Sequence, residues 1–225
     1  MFDEYLIIPK LFGAILAGYV LGSIPFALVA ARLRGVDIFN TGSKTAGTAN
    51  VFWNIGRGTG IGVLVGDVAK GAAAVLIAES LGLQWQVALL AGGAAVLGHW
   101  KSVFSGFRGG DGMASLMGVC VVMEPLLTTL GLLIGMGALL LSWRSPLRSA
   151  WALSSCFIVM LGVSQYYQID RELVMGLVAL AMLVLFHSVV SRRHRGSASD
   201  EEDPIGLGLG PDEEPDLAPA APENR

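Results

Sequence analysis

Residues Gly112–Trp143 read GMASLMGVCVVMEPLLTTLGLLIGMGALLLSW, and the division of this run decides the fold. It is overlong for a single crossing of a ~30 Å hydrocarbon core, which takes roughly 20 apolar residues. It is also interrupted by Glu124-Pro125. The charges elsewhere in the chain choose between one helix and two. With two short helices, the loops around residues 32–58, 101–111, 144–148 and 191–195 fall on one side. That side then collects eleven Lys and Arg, from Arg32 to Arg195. The other side holds only Lys10 and Arg171, among Asp3, Glu4, Glu79, Asp170 and Glu172. Cytoplasmic loops carry the excess of basic residues, so the split run gives an ordered topology and the single span does not.

Working outward, the further apolar runs are Tyr5–Ala31, Gly60–Leu81, Trp85–Trp100, Leu147–Val163 and Leu173–Val190. The expected fold is an all-α integral membrane protein of seven transmembrane helices. Its N-terminus lies outside and its C-terminus lies in the cytoplasm. Composition agrees: 53% of the 225 residues are hydrophobic and 15% charged, where soluble domains carry about 25% charge. Mean hydropathy is +0.63. The spans 85–100 and 112–124 are short. Short helices ending in Gly-rich cytoplasmic loops point to a polar cavity there, because irregular backbone at membrane depth must line water or protein. The acidic start MFDEY lacks a basic n-region and reads as a retained helix.

The net charge of −3 hides a segregation. Residues 196–225 hold nine of the 18 acidic residues and one of the 15 basic ones; residues 1–195 carry 14 basic against nine acidic. The division expected is a membrane domain over 1–195 and a disordered Pro/Gly-rich acidic tail over 196–225. Cys120 and Cys156 sit inside apolar spans with no disulfide or metal spacing. No metal, cofactor or nucleic-acid partner is expected.

Three polar clusters map to the basic side. Asn40–Asn50 is dense in Gly, Ser, Thr and Asn, the composition of a backbone nest for an anion. An ordinary polar loop with a helix cap at Ser43 or Thr48 has the same composition. Asp67 and Lys70, three residues apart inside an apolar run, share a helix face and are expected to form a structural ion pair bracing it, the alternative being direct contact with a substrate. Third, His99 closes one helix, and Arg108-Gly109-Gly110-Asp111-Gly112 opens the next. A helix N-terminus suits phosphate and Arg108 adds a fork of donors, while a tight interhelical turn would use the same glycines. His187 stands at the cytoplasmic end of the last span.

In order and spacing, these clusters resemble the bacterial acyl-phosphate:glycerol-3-phosphate acyltransferase family. The resemblance runs from Gly22-Ser-Ile-Pro25 to about Arg195. The family pattern Gly-Ser-Gly-Asn-Pro-Gly-Ala-Thr-Asn-Val-Leu-Arg is found as Gly42-Ser-Lys-Thr-Ala-Gly-Thr-Ala-Asn-Val-Phe-Trp53. The Asp-x-x-Lys-Gly element is intact at Asp67, Lys70 and Gly71. The Gly-His…Val-Phe…Phe-Lys-Gly-Gly-Lys-Gly element is found as Gly98-His99, Val103-Phe104 and Phe107–Gly112. The resemblance implies transfer of an acyl group from membrane-borne acyl phosphate to the 1-hydroxyl of glycerol 3-phosphate. The products are lysophosphatidic acid and inorganic phosphate, in a bacterial inner membrane, with no metal and no acyl-CoA. It implies catalytic roles for Ser43 and His187, with Gly42, Asn50, His99, Arg108, Gly109 and Gly110 around the substrates.

Three positions depart from the pattern: Trp53 stands for an Arg, Asp111 for a Lys and Val190 for an Asn. They change the site's charge by −3, and Lys44, Arg57 and Lys101 are the candidate replacements. Lys44 is favoured as a substrate-binding residue because it adjoins Ser43. Two alternatives accompany this reading: the same scaffold with a changed acceptor, and an inactive membrane or lipid-binding paralogue.

Overall fold

The computed structural model describes residues 2–142, 144, 145 and 147–202, with side chains from Leu6 to Ser191 apart from 143, 146 and 149. The N-terminal side chains, those of Arg192, Arg193 and Arg195, and residues 203–225 of the acidic tail lie outside that description. Helices account for the regular structure: α1 (Phe2–Gly22), α2 (Phe26–Arg32), α3 (Thr48–Asn54), α4 (Arg57–Ser80), α5 (Trp85–Trp100), α6 (Met113–Met123), α7 (Pro125–Leu141), α8 (Arg148–Tyr167) and α9 (Arg171–Glu202). A 3₁₀ turn at Val103–Ser105 precedes α6. The described residues up to His187 form one compact unit and those from Ser188 to Glu202 belong to a second. The segment expected as tail from 196 begins within α9, whose helix runs to Glu202.

The deciding run divides where Glu124-Pro125 predicts. Pro125 occupies the first turn of α7, where its missing N–H costs nothing, and Glu124 caps both helices with non-helical backbone. The first apolar run divides as well. Pro25 ends the helical path at Ser23-Ile24, and α2 restarts behind it, since proline disfavours helical backbone in the residue before it. Among the described residues, four helices are able to cross a bilayer by length and composition: Leu6–Arg32 taken through the break, Arg57–Ser80, Trp85–Ser105 and Arg171–Ser191. Met113–Met123 and Pro125–Leu141 are shorter apolar helices.

The segment read as a polar loop contains α3. Its N-cap is Gly47 in extended backbone, and no side chain caps it. The expected caps have other partners: Ser43 Oγ shares a hydrogen bond with Thr45 Oγ1, and Thr48 Oγ1 donates to Asp67.

Small residues let the helices approach backbone to backbone, as membrane helix interfaces require. Gly22 of α1 lies against the Ala95 main chain of α5, and Gly71 of α4 against the Ser115 carbonyl of α6; neither place has room for a Cβ. Val75, Val96, Leu116, Val119, Leu177 and Val184, from α4, α5, α6 and α9, form the main core. A second core gathers Ala27, Leu28, Ala31, Ile38, Val51 and Val63 beneath the basic loops. Cys120 and Cys156 are buried free thiols, as packing residues would be. Outward-facing Phe12, Leu133, Ile158 and Phe186 are all exposed, a surface that suits lipid.

Candidate functional site

The break in the first helix, the end of α5 and the middle of α4 meet at one cleft. Ser23, Lys70, Asp67, His99, Ser102, Arg108 and Gly109 line it. Each group arrives by local geometry. Asp67 and Lys70, one helical turn apart on α4, pair at 2.8 Å, and both are buried. Lys70 Nζ also donates to the Ile24 carbonyl at 3.1 Å, at the break in the first helix. His99 Nδ1 lies 3.5 Å from the same Asp67 oxygen, and Thr48 Oγ1 donates to the other at 3.4 Å. Asp67 is therefore a hub. It neutralises Lys70 and faces the Nδ1 edge of the His99 ring.

The glycine-rich loop is fixed to the end of α5 and to the first loop. Gly110 N–H donates to the His99 carbonyl and Ala46 N–H to the Gly109 carbonyl, each at 3.3 Å. A Cβ on Gly110 would come within 2.5 Å of His99 Nε2 and 2.6 Å of the Ala46 carbonyl oxygen. The glycines let three strands of main chain pass at contact distance. Arg108 stacks on Phe39 with its guanidinium 3.9 Å from the ring centroid. Stacking uses the face of the guanidinium and leaves its N–H edges in plane for a planar or tetrahedral anion.

Asn50 organises the first loop from inside. Only 3% exposed, it donates through Nδ2 to the carbonyls of Ile38, Thr41 and Thr45 and accepts from Ser43 N–H and Asn54 Nδ2. Expected at the substrate, Asn50 is placed as the clasp that shapes the loop. Gly42 and Lys44 both have left-handed backbone, φ 56 and φ 54. Ser43 and Lys44 are exposed. Among the described residues lining the cleft, none is Gly42, Ser43, Lys44, Asn50 or His187. His187 is held elsewhere, its imidazole stacked on Trp100 with ring centroids 4.2 Å apart.

Sequence reasoning overlooked Thr48, Ser102 and Trp100. Thr48 belonged to a recognised cluster, but a cap was the simpler use of its hydroxyl. Nothing in the sequence marked Ser102, whose hydroxyl donates to the Ser23 carbonyl across the cleft. At Trp53, the position departing to an aromatic, the Arg148 guanidinium lies 5.4 Å from the ring centroid.

The glycerol-3-phosphate acyltransferase family model matches residues 12–198. The chain belongs to that family. It is similar to glycerol-3-phosphate acyltransferase 1 of Deinococcus radiodurans, 41% identical over 64% of this chain and 72% of that one. It is also similar to the glycerol-3-phosphate acyltransferase of Geobacter metallireducens, 50% identical over half of this chain and 58% of the relative. In three dimensions it resembles PlsY (YgiH), an integral membrane glycerol 3-phosphate acyltransferase crystallised in its glycerol 3-phosphate form. The TM-score is 0.67 at 29% identity, covering 85% of this chain and 91% of that one. Family membership and this likeness place the chain among helical integral membrane proteins.

Proposed function

We propose that the protein moves an acyl group from acyl phosphate to the 1-hydroxyl of glycerol 3-phosphate, producing lysophosphatidic acid in a bacterial membrane. The observation that carries the proposal is the convergence of Lys70, Asp67, His99, Arg108 and Gly109 on one cleft, in a chain of this family. The substrate hydroxyl attacks the acyl carbonyl carbon, an ester forms, and inorganic phosphate leaves with the bridging oxygen. Such a reaction needs the hydroxyl placed against the carbonyl and charge stabilised on the departing phosphate.

Arg108 and the main chain of Gly109 are assigned to a phosphate group, with Gly110 seating the loop beside it through its N–H to the His99 carbonyl. Gly42, Ser43 and Lys44 present the exposed rim of the first loop to the second substrate, and Ser43 and His187 act on the reacting groups. Asp67 and Lys70 are assigned as the structural pair that holds His99 in place. A seven-crossing topology with the N-terminus outside follows from the basic loops, with the bilayer supplying the acyl chain. Family membership favours glycerol 3-phosphate over a changed acceptor and activity over an inactive paralogue.

The test is phosphate release by the purified protein in lipid, given acyl phosphate and labelled glycerol 3-phosphate. Turnover to labelled lysophosphatidic acid, lost in Ser43→Ala, supports the proposal; wild-type turnover no higher than that variant's defeats it. Two substitutions probe the departures. Asp111→Lys reverses a charge inside the loop, and a unit charge a few ångströms from a dianion is worth a few kcal/mol even when well screened. KM for glycerol 3-phosphate should fall about tenfold; a rise would place the phosphate elsewhere. Lys44→Gly separates strain from charge. Relief of left-handed backbone, less the chain entropy of glycine, should raise stability by about 0.5–1 kcal/mol in thermal unfolding. The lost cation should raise KM in the same variant.

A further inference from the structure

Trp100 follows His99 at the end of α5 and joins two parts of the fold that carry assigned roles. Its indole lies flat on the His187 imidazole of α9, planes 10° from parallel and centroids 4.2 Å apart. Its Nε1–H donates to the Asp111 carbonyl at 2.9 Å, inside the glycine-rich loop. At Gly112, where φ is 85, a Cβ would collide with that same nitrogen. The loop thus leaves an opening that the indole edge fills. The rest of the ring packs against the main core.

Core filling alone explains neither contact. A leucine would bury similar surface without a directed donor or a parallel face. An imidazole on a helix has its Cα fixed, but its terminal torsion is broad and roughly two-fold. A parallel indole at this distance narrows that torsion to a single ring plane and so fixes the plane in which both nitrogens lie. Because the same indole also holds the Asp111 carbonyl, the loop and the imidazole are referred to one rigid side chain.

We infer that Trp100 is a positioning residue for acyl transfer, setting the plane of His187. The inference rests on the proposed role of His187 in the site. Full-length protein in lipid is assayed for phosphate release with acyl phosphate and glycerol 3-phosphate. Trp100→Phe keeps a ring to stack on and loses the N–H; Trp100→Leu loses both. In Trp100→Leu, kcat should fall on the order of tenfold, with KM little changed, and Trp100→Phe should recover most of kcat. In a His187→Ala background, Trp100→Leu should add almost nothing, since the two side chains then act through one interaction. The aromatic proton signals of His187 should move downfield in Trp100→Leu, because the indole ring current is gone.

Equal losses in the Phe and Leu variants would overturn the inference, as would losses that add to those of His187→Ala. If Trp100→Leu does not fold, the comparison of Trp100→Phe with Trp100→Met, which retains volume without a ring, decides in its place. Full turnover in His187→Ala would remove the role of His187 and the inference with it. Loss in His187→Ala beside full turnover in Trp100→Leu would remove the inference alone.

Discussion

Replacing Lys70 with methionine is expected to lower stability by about 3–5 kcal/mol, the cost of leaving one member of a buried ion pair alone. Asp67 is 1% exposed and Lys70 4%, so both charges are held out of bulk water. The carboxylate would keep only His99 Nδ1 at 3.5 Å and the Thr48 hydroxyl at 3.4 Å. The Ile24 carbonyl would lose one of its two donors and keep the Phe26 N–H. Thermal unfolding in detergent or lipid measures the loss. The double variant Asp67→Asn, Lys70→Met should regain much of it, because no net charge then stays buried. A single variant as stable as the parent would mean that the pair does not brace α4.

Gly110→Ala is expected to cut kcat/KM for glycerol 3-phosphate by about a hundredfold, the penalty of a displacement near 1 Å in a positioned site. The added methyl would press on His99 Nε2 and on the Ala46 carbonyl oxygen. The oxygen is main chain and cannot rotate away. To relieve the contact, the loop must shift against α5 or the first loop, straining the Ala46–Gly109 and Gly110–His99 hydrogen bonds. The kinetics should change far more than the unfolding midpoint. Unchanged turnover would show that the loop has slack at this point.

Much of the fold is legible because membrane helices announce themselves by length and apolarity, and proline by its missing N–H. Glu124-Pro125 could be read directly for both reasons. The break at Ser23-Ile24 was hidden in an apolar run that continues on either side of Pro25. The site divides in a similar way. Asp67 and Lys70 were readable as a pair, because helical spacing alone brings residues three apart together. That His99 shares their carboxylate was not, since it depends on how α4 meets α5. Asn50 shows the converse: its residue type and motif position suggest a ligand-binding amide, while its hydrogen bonds make it the frame of a loop. Periodicity reports which residues share a helix face. It does not report which helix ends meet.

The break in the first helix bears on the timing of synthesis. Ile24 waits for Lys70, 46 residues later. Ser23 waits for Ser102, 79 residues later, and the Tyr19 hydroxyl for the Lys101 carbonyl, 82 residues later. A chain made from its N-terminus onward therefore inserts its first helix well before these partners exist. The cleft closes only after α5 and the turn beyond it have been delivered to the membrane. A protein truncated before residue 101 would carry the first helix with the Ser23 carbonyl and the Tyr19 hydroxyl still lacking these partners.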